Sequence, residues 1–223
     1  VLGLDALQTG VRMLPVSVAM FLASLIGARL TTILAVRTIV QIGMGIVVVA
    51  TLLLVGTIQP ELNGPMFATA MGALGIGMGL VASQIGNVVQ SSVDASGRGE
   101  AGGLQYTAQQ LGSALGVALI GVIVLSGLVT TFTHSVNNNP AISKEVAQQV
   151  GVAVDAHATF VPASAVEAAA KAANLPAATV TELVDAYSSA QLRALKVGLL
   201  GAAAIGLSSM LFTAKLPNRK PKG

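Results

Sequence analysis

The chain has 223 residues, of which 9% are charged and 53% hydrophobic, and its mean hydropathy is +0.78. A soluble domain carries about 25% charged residues, so a water-soluble globular fold is excluded. The net charge is only +3 despite a pI near 9.5; the basic residues gather at the ends of apolar runs and in the tail without interleaved aromatics, which argues against nucleic acid as a partner. Cysteine is absent, and with it disulfides and thiolate metal sites. The composition is that of an all-α, polytopic membrane protein.

Residues 1–10 are a short polar approach containing Asp5 and Gln8. No basic segment precedes an apolar core, so no signal peptide is expected, and a chain opening on Val1 is expected to be a piece of a longer one. The first apolar run, 11–34, has Arg12 near one end and Arg29 near the other. Arg12 can snorkel to the interface, and Pro15 falls in the first turns, where a missing N–H costs least. The 23 residues between Arg37 and Glu61 are uncharged, and 38–58 alone would form a helix about 31 Å long, enough to cross a bilayer core of about 30 Å.

After a Pro/Asn/Gly turn cluster at 59–65, two further uncharged runs, 64–92 and 101–131, form a hairpin about a polar hinge at 92–100 that contains Asp94, Arg98 and Glu100. Gly75 and Gly79, with Gly72 and Gly77, and the GxxxG pair Gly112 and Gly116, with Gly121, are spaced for close helix contact. From 132 to 190 the composition shifts to Asn, Ser, Ala and scattered charges, broken by Pro140, Pro162 and Pro176. This reads as a water-facing insertion of two or three short helices. Asn139-Pro140 suits an N-cap followed by N1, and Ser164-x-x-Glu167 and Thr179-x-x-Glu182 are capping-box patterns. Val180, Leu183, Val184 and Tyr187 recur at helical spacing and carry the last helix toward the membrane. A fifth span, 191–214, ends in a basic tail, 215–223.

Five spans place the termini on opposite sides. One side collects Arg29, Arg37, Arg98, Lys215, Arg219, Lys220 and Lys222, so the C-terminus is expected in the cytoplasm and 132–190 outside it, in a multi-pass protein of the cell membrane.

On the third span Ser83, Asn87, Gln90 and Ser91, with Gln84 beside them, form a polar stripe; on the fourth, Gln105 and Gln109 lie one turn apart. Gln84, Asn87, Gln105 and Gln109 are candidates for a hydrophilic vestibule touched by substrate. The competing and favoured reading is hydrogen bonding between helices. Glu100 can pair with Arg98 across the hinge or, as preferred, suit a helix N-terminus. Gly75-x-Gly77-x-Gly79 is not a nucleotide loop, because it lies in an uncharged span with no preceding strand. His134 and His157 have no ligand neighbours, so no metal is expected. Phe67, Phe132 and Phe212, near helix ends, suit the membrane interface. No carboxylate lies mid-span; neither catalytic residues nor a cofactor are expected.

Four passages resemble the fourteen-spanning drug:proton antiporters of the major facilitator superfamily, the EmrB/QacA family. The lead Gly3 to Pro15 looks like the entry to a late helix. Gly27-Ala28-Arg29-Leu30 with Arg37 resembles the cytoplasmic loop motif G-x-[RK]-L-x-D-x-x-G-x-[RK], with Thr32 in place of the acid and Ala35 in place of the second glycine. Gly99-Glu100-Ala101-Gly102-Gly103-Leu104-Gln105, continued by Thr107, Gln109, Gln110, Leu111, Gly112, Ala114, Leu115 and Gly116, looks like the penultimate span. The long loop, last span and basic tail complete the likeness. It implies the C-terminal part of a proton-driven exporter of amphiphilic small molecules, lying in membrane lipid, whose missing N-terminal helices supply the other wall of the path and the embedded acids. The alternatives are a permease subunit of an ATP-driven transporter and a non-transporting membrane scaffold.

Overall fold

The structure is a computed structural model and describes residues 5–59, 64–156, 159–213 and 216, with the side chains of 90 and 153–156 outside the description. Seven α-helices follow one another: α1 (Ala6–Leu30), α2 (Val36–Thr57), α3 (Gly64–Ser91), α4 (Arg98–Asn137), α5 (Lys144–Ala156), α6 (Ala163–Ala172) and α7 (Ala177–Phe212), with a single 3-10 turn at Ala95–Gly97 before α4. There is no strand among the described residues. α1, α2, α3, α4 and α7 are each long and apolar enough to cross a membrane. Their large apolar side chains stay outside any protein core: Leu104, Tyr106, Leu111, Leu115 and Val117 of α4 are 61–72% exposed. Such a surface suits hydrocarbon rather than water as its surroundings, and the chain is a multi-pass membrane protein.

Helix ends depart from the sequence expectation for local reasons. α1 begins at Ala6 rather than residue 11, because Asp5 caps it: its carboxylate accepts the Gln8 N–H at 2.7 Å, and the Gln8 side chain accepts the Asp5 N–H at 3.4 Å. α4 continues to Asn137, past the expected 131, since no Gly or Pro interrupts 128–137. α7 starts at Ala177, just after Pro176, the last proline before Phe212, two residues before the expected start at Thr179, and it runs on unbroken through the span expected at 191–214 as far as Phe212. At 40 and 36 residues, α4 and α7 would measure about 60 and 54 Å, so part of each lies beyond a hydrocarbon core of about 30 Å.

The described residues fall into two compact units. In the unit formed by 5–57, 64–117 and 199–213, α3 packs on both α1 and α2. Gly75 and Gly79 sit against the α1 backbone, so close that a Cβ on either would strike the carbonyl oxygen of Val16 or Met20. Gly77, on a different face, crosses Gly43 of α2: a Cβ on Gly77 would lie 2.6 Å from the Gly43 oxygen, and one on Gly43 would lie 2.9 Å from the Gly77 oxygen. Glycine is therefore required at these crossings. Gly112 and Gly116 pack on nothing within 4 Å, and the same holds for Gly72 and Gly121; the GxxxG pair joins no described helix. Ile39, Ala23 and Leu80 form one small core and Leu54, Ala70 and Met71 another, with Phe67 against the second.

The other unit is built on Ala118–Gly198. Its core combines Leu128, Phe132 and Val136 of α4 with Ile142, Ala147, Ala170, Leu183 and Tyr187. Phe132 is thus a core residue, 4% exposed and edge-on to Tyr187 at 5.2 Å between ring centres, rather than an interfacial one. Phe212, at 71% exposure, and half-buried Phe67 differ from it. Residues 159–162 form a strap that leads into α6. Tyr187 Oη donates to the Val161 carbonyl at 3.0 Å and accepts from the Val161 N–H at 3.1 Å, and Gln191 Nε2 donates to the same carbonyl at 2.7 Å.

None of the three expected helix starts in this region is used. Asn139 makes a turn instead: its Oδ1 accepts the Ala141 N–H at 3.0 Å, and its Nδ2 donates to Glu182 at 2.7 Å. Ser143 opens α5, its hydroxyl accepting the Val146 N–H at 3.3 Å. Ser164 and Thr179 lie inside α6 and α7, and Glu167 reaches forward to Lys171 at 2.5 Å. His157, residues 60–63 and 217–223, and Lys215 lie outside the described residues.

Candidate functional site

An α-helix leaves its last four carbonyls without intrahelical partners, and at the end of α1 these belong to Gly27, Ala28, Arg29 and Leu30. The following residues supply partners for three of them. Thr31 Oγ1 donates to Ala28 O at 2.6 Å, Thr32 Oγ1 to Arg29 O at 2.9 Å, and the Ile33 and Leu34 N–H groups to Leu30 O at 3.1 and 2.8 Å. The fourth is reached from another helix: Gln84 Nε2 of α3 donates to Gly27 O at 2.9 Å.

That contact depends on Gly27. A Cβ at this position would run into the Ser83 hydroxyl. Ser83 Oγ in turn accepts a second bond from Gln84 Nε2 at 2.8 Å and donates to Leu80 O at 2.7 Å. Gln84 is fully buried, and its Oε1 has no partner among the described residues. The first glycine of the loop passage and the first amide of the polar stripe therefore meet in one clasp between α1 and α3.

The remaining candidates are not part of it. Asn87, three residues on, is exposed; on α4, Gln105 is half-buried and Gln109 exposed. Arg29 is exposed and Arg37 half-buried near the start of α2. In the hinge, Asp94 precedes the 3-10 turn without a side-chain capping bond, and Arg98 and Glu100 are exposed in the first turn of α4. No ion pair joins Arg98 to Glu100; Lys171–Glu167 is the one ion pair among the described residues. Glu100 is placed where a negative charge complements the helix N-terminus.

A cavity of about 320 Å³ opens in the same unit, lined by Met20, Met44, Val47, Met78, Val81, Ala82, Ile85 and Gly206. It is apolar, and none of the four candidate amides lines it. The three methionines give it a wall that can adapt its shape. Sequence reading missed it because its lining comes from four helices, with no periodic signature of its own. No cluster of His, Asp and Glu able to hold a metal occurs among the described residues.

Comparison with known proteins adds two relatives. The chain is 30% identical over 190 residues to the multidrug efflux pump LfrA of Mycolicibacterium smegmatis, an alignment that takes in 85% of this chain and 34% of LfrA. It is 31% identical over 137 residues to the tetracenomycin C resistance and export protein of Streptomyces glaucescens, covering 58% of this chain and 24% of that protein. The chain thus spans about a third or less of the length of these relatives. No protein-family model matches it, and no solved structure does.

Proposed function

We propose that the chain is the C-terminal part of a secondary exporter of drugs or metabolites, of the fourteen-spanning major facilitator kind, working by alternating access and proton antiport. The observation that carries this reading is the similarity to a multidrug efflux pump along 85% of the chain, in a protein with five helices able to span a membrane. The similarity to a second protein of resistance and export agrees with it.

The physical roles follow from the helices. Here α1–α3, locked together by glycine crossings and the Gln84–Gly27 clasp, act as one rigid wall, as a rocking half must. α4, whose residues 106–119 are exposed, offers its face to lipid and to the N-terminal helices of the complete transporter. The proton-binding acid is supplied by those helices, since no Asp or Glu lies mid-span here. Amphiphilic substrate crosses between the two halves, past the exposed amides Asn87 and Gln109. The basic residues set the orientation, with the C-terminus cytoplasmic and 132–190 outside.

The test is efflux of a fluorescent amphiphilic dye from cells making the complete transporter. The reading predicts export that stops when a protonophore collapses the gradient and persists under vanadate. Export blocked by vanadate would favour the ATP-driven permease, and no export at all would favour the scaffold. Asn87→Ala and Gln109→Ala are predicted to change the dye profile at unchanged abundance; lower abundance with an unchanged profile would assign these amides to helix packing.

A further inference from the structure

The unit built on Ala118–Gly198 holds a cavity of about 450 Å³, walled by α4, α5, α6, α7 and the 159–161 strap. This lies in the range of small-molecule sites, about 300–1,000 Å³. Phe132, Leu128 and Leu183 form its floor from two helices, and no charged side chain lines it among the described residues. The Tyr187 hydroxyl, although in the wall, is engaged in both directions by Val161, so it offers a ligand no directed bond. The wall along α6 and its C-terminal cap is built of alanines: Ala165 and Ala169 of α6 and Ala173 at the cap, four residues apart, line the space and are exposed, which places the mouth there.

The surroundings do not close over this space. Phe132 and Tyr187 are fixed edge to face, and three hydrogen bonds hold the strap. A mostly apolar concavity of this size left facing water costs free energy that an apolar occupant recovers. A helical segment about 10 Å across would fit for only about one turn in this volume, which is too short to dock. We propose that the cavity binds a neutral, lipophilic small molecule, held mainly by shape and apolar contact, with Gln149 and Thr159 as further polar members of the lining. The same chemistry can arrive as a free aromatic compound or as the acyl chain of a lipid.

The absence of cysteine allows a site-specific test on the full 223-residue chain. Ala169→Cys lies in the lining; Ala172→Cys is exposed on the same helix outside it. Each is purified into phosphatidylcholine nanodiscs, and separately into a fluorinated surfactant that carries no hydrocarbon chain. The rate of modification by an anionic methanethiosulfonate is then measured with and without N-phenyl-1-naphthylamine. The expected result is saturable protection of Ala169→Cys, about tenfold once the dye exceeds its Kd tenfold, with Ala172→Cys unaffected. Ala173→Phe, added to Ala169→Cys to fill the mouth, should abolish the protection at unchanged helix content. If Ala169→Cys is slow in nanodiscs without dye and fast in the surfactant, the occupant is an acyl chain and the proposal stands. Equal behaviour of both cysteines in every condition, or protection that survives Ala173→Phe, overturns it.

Discussion

Gln84 and Asn87 lie three residues apart on α3, yet one is fully buried and bonded to another helix while the other is exposed. The polar stripe was legible from periodicity; which member faces protein was not, because that depends on a carbonyl 57 residues away at the end of α1. Gln84→Met keeps the bulk and removes the donor, leaving Gly27 O unpaired. The expected loss is about 0.6 kcal/mol, the average for hydrogen bonds between membrane helices, and at most about 1.7 kcal/mol, read as a lower melting temperature in detergent. Gly27→Ala is expected to destabilise by about 1–3 kcal/mol by overpacking against Ser83. Ser83→Ala in the same chain should recover part of that loss; an absence of recovery would mean that the collision lies elsewhere.

At the scale of helices, the two sets of glycines divide. Gly75, Gly77 and Gly79 touch the backbones of α1 and α2, whereas Gly112 and Gly116 touch nothing within 4 Å. Gly75→Leu should therefore lower the melting temperature of the 223-residue chain by several degrees, and Gly116→Leu should leave it unchanged. If the chain belongs to the longer transporter proposed above, Gly116→Leu is expected to reduce the abundance of that protein through lost packing of α4 on its N-terminal helices. Equal effects in the short chain would contradict the division. Sequence reading located the five long helices because uncharged runs of this length have few alternatives in lipid. Helix ends are less legible where a cap decides: Asp5-x-x-Gln8 makes a capping box with an acid in place of the usual Ser or Thr, and Asn139-Pro140 has the pattern of a helix start although Asn139 makes a turn and bonds Glu182. Spacing alone does not separate a glycine that meets a neighbour from one that faces lipid or an absent partner.

For the whole molecule, the proposed sidedness rests on the distribution of basic residues, and it can be measured directly because no native thiol interferes. Ser96, exposed in the hinge before α4, reports one side. Gln148, exposed on α5, reports the other and is preferable to Ser143, whose hydroxyl caps that helix. In cells making the complete transporter, otherwise free of cysteine, a membrane-impermeant maleimide should label Gln148→Cys from outside and reach Ser96→Cys only after permeabilisation. Labelling of Ser96→Cys in intact cells with Gln148→Cys protected, or equal labelling of both, would contradict the proposed path of the chain through the membrane.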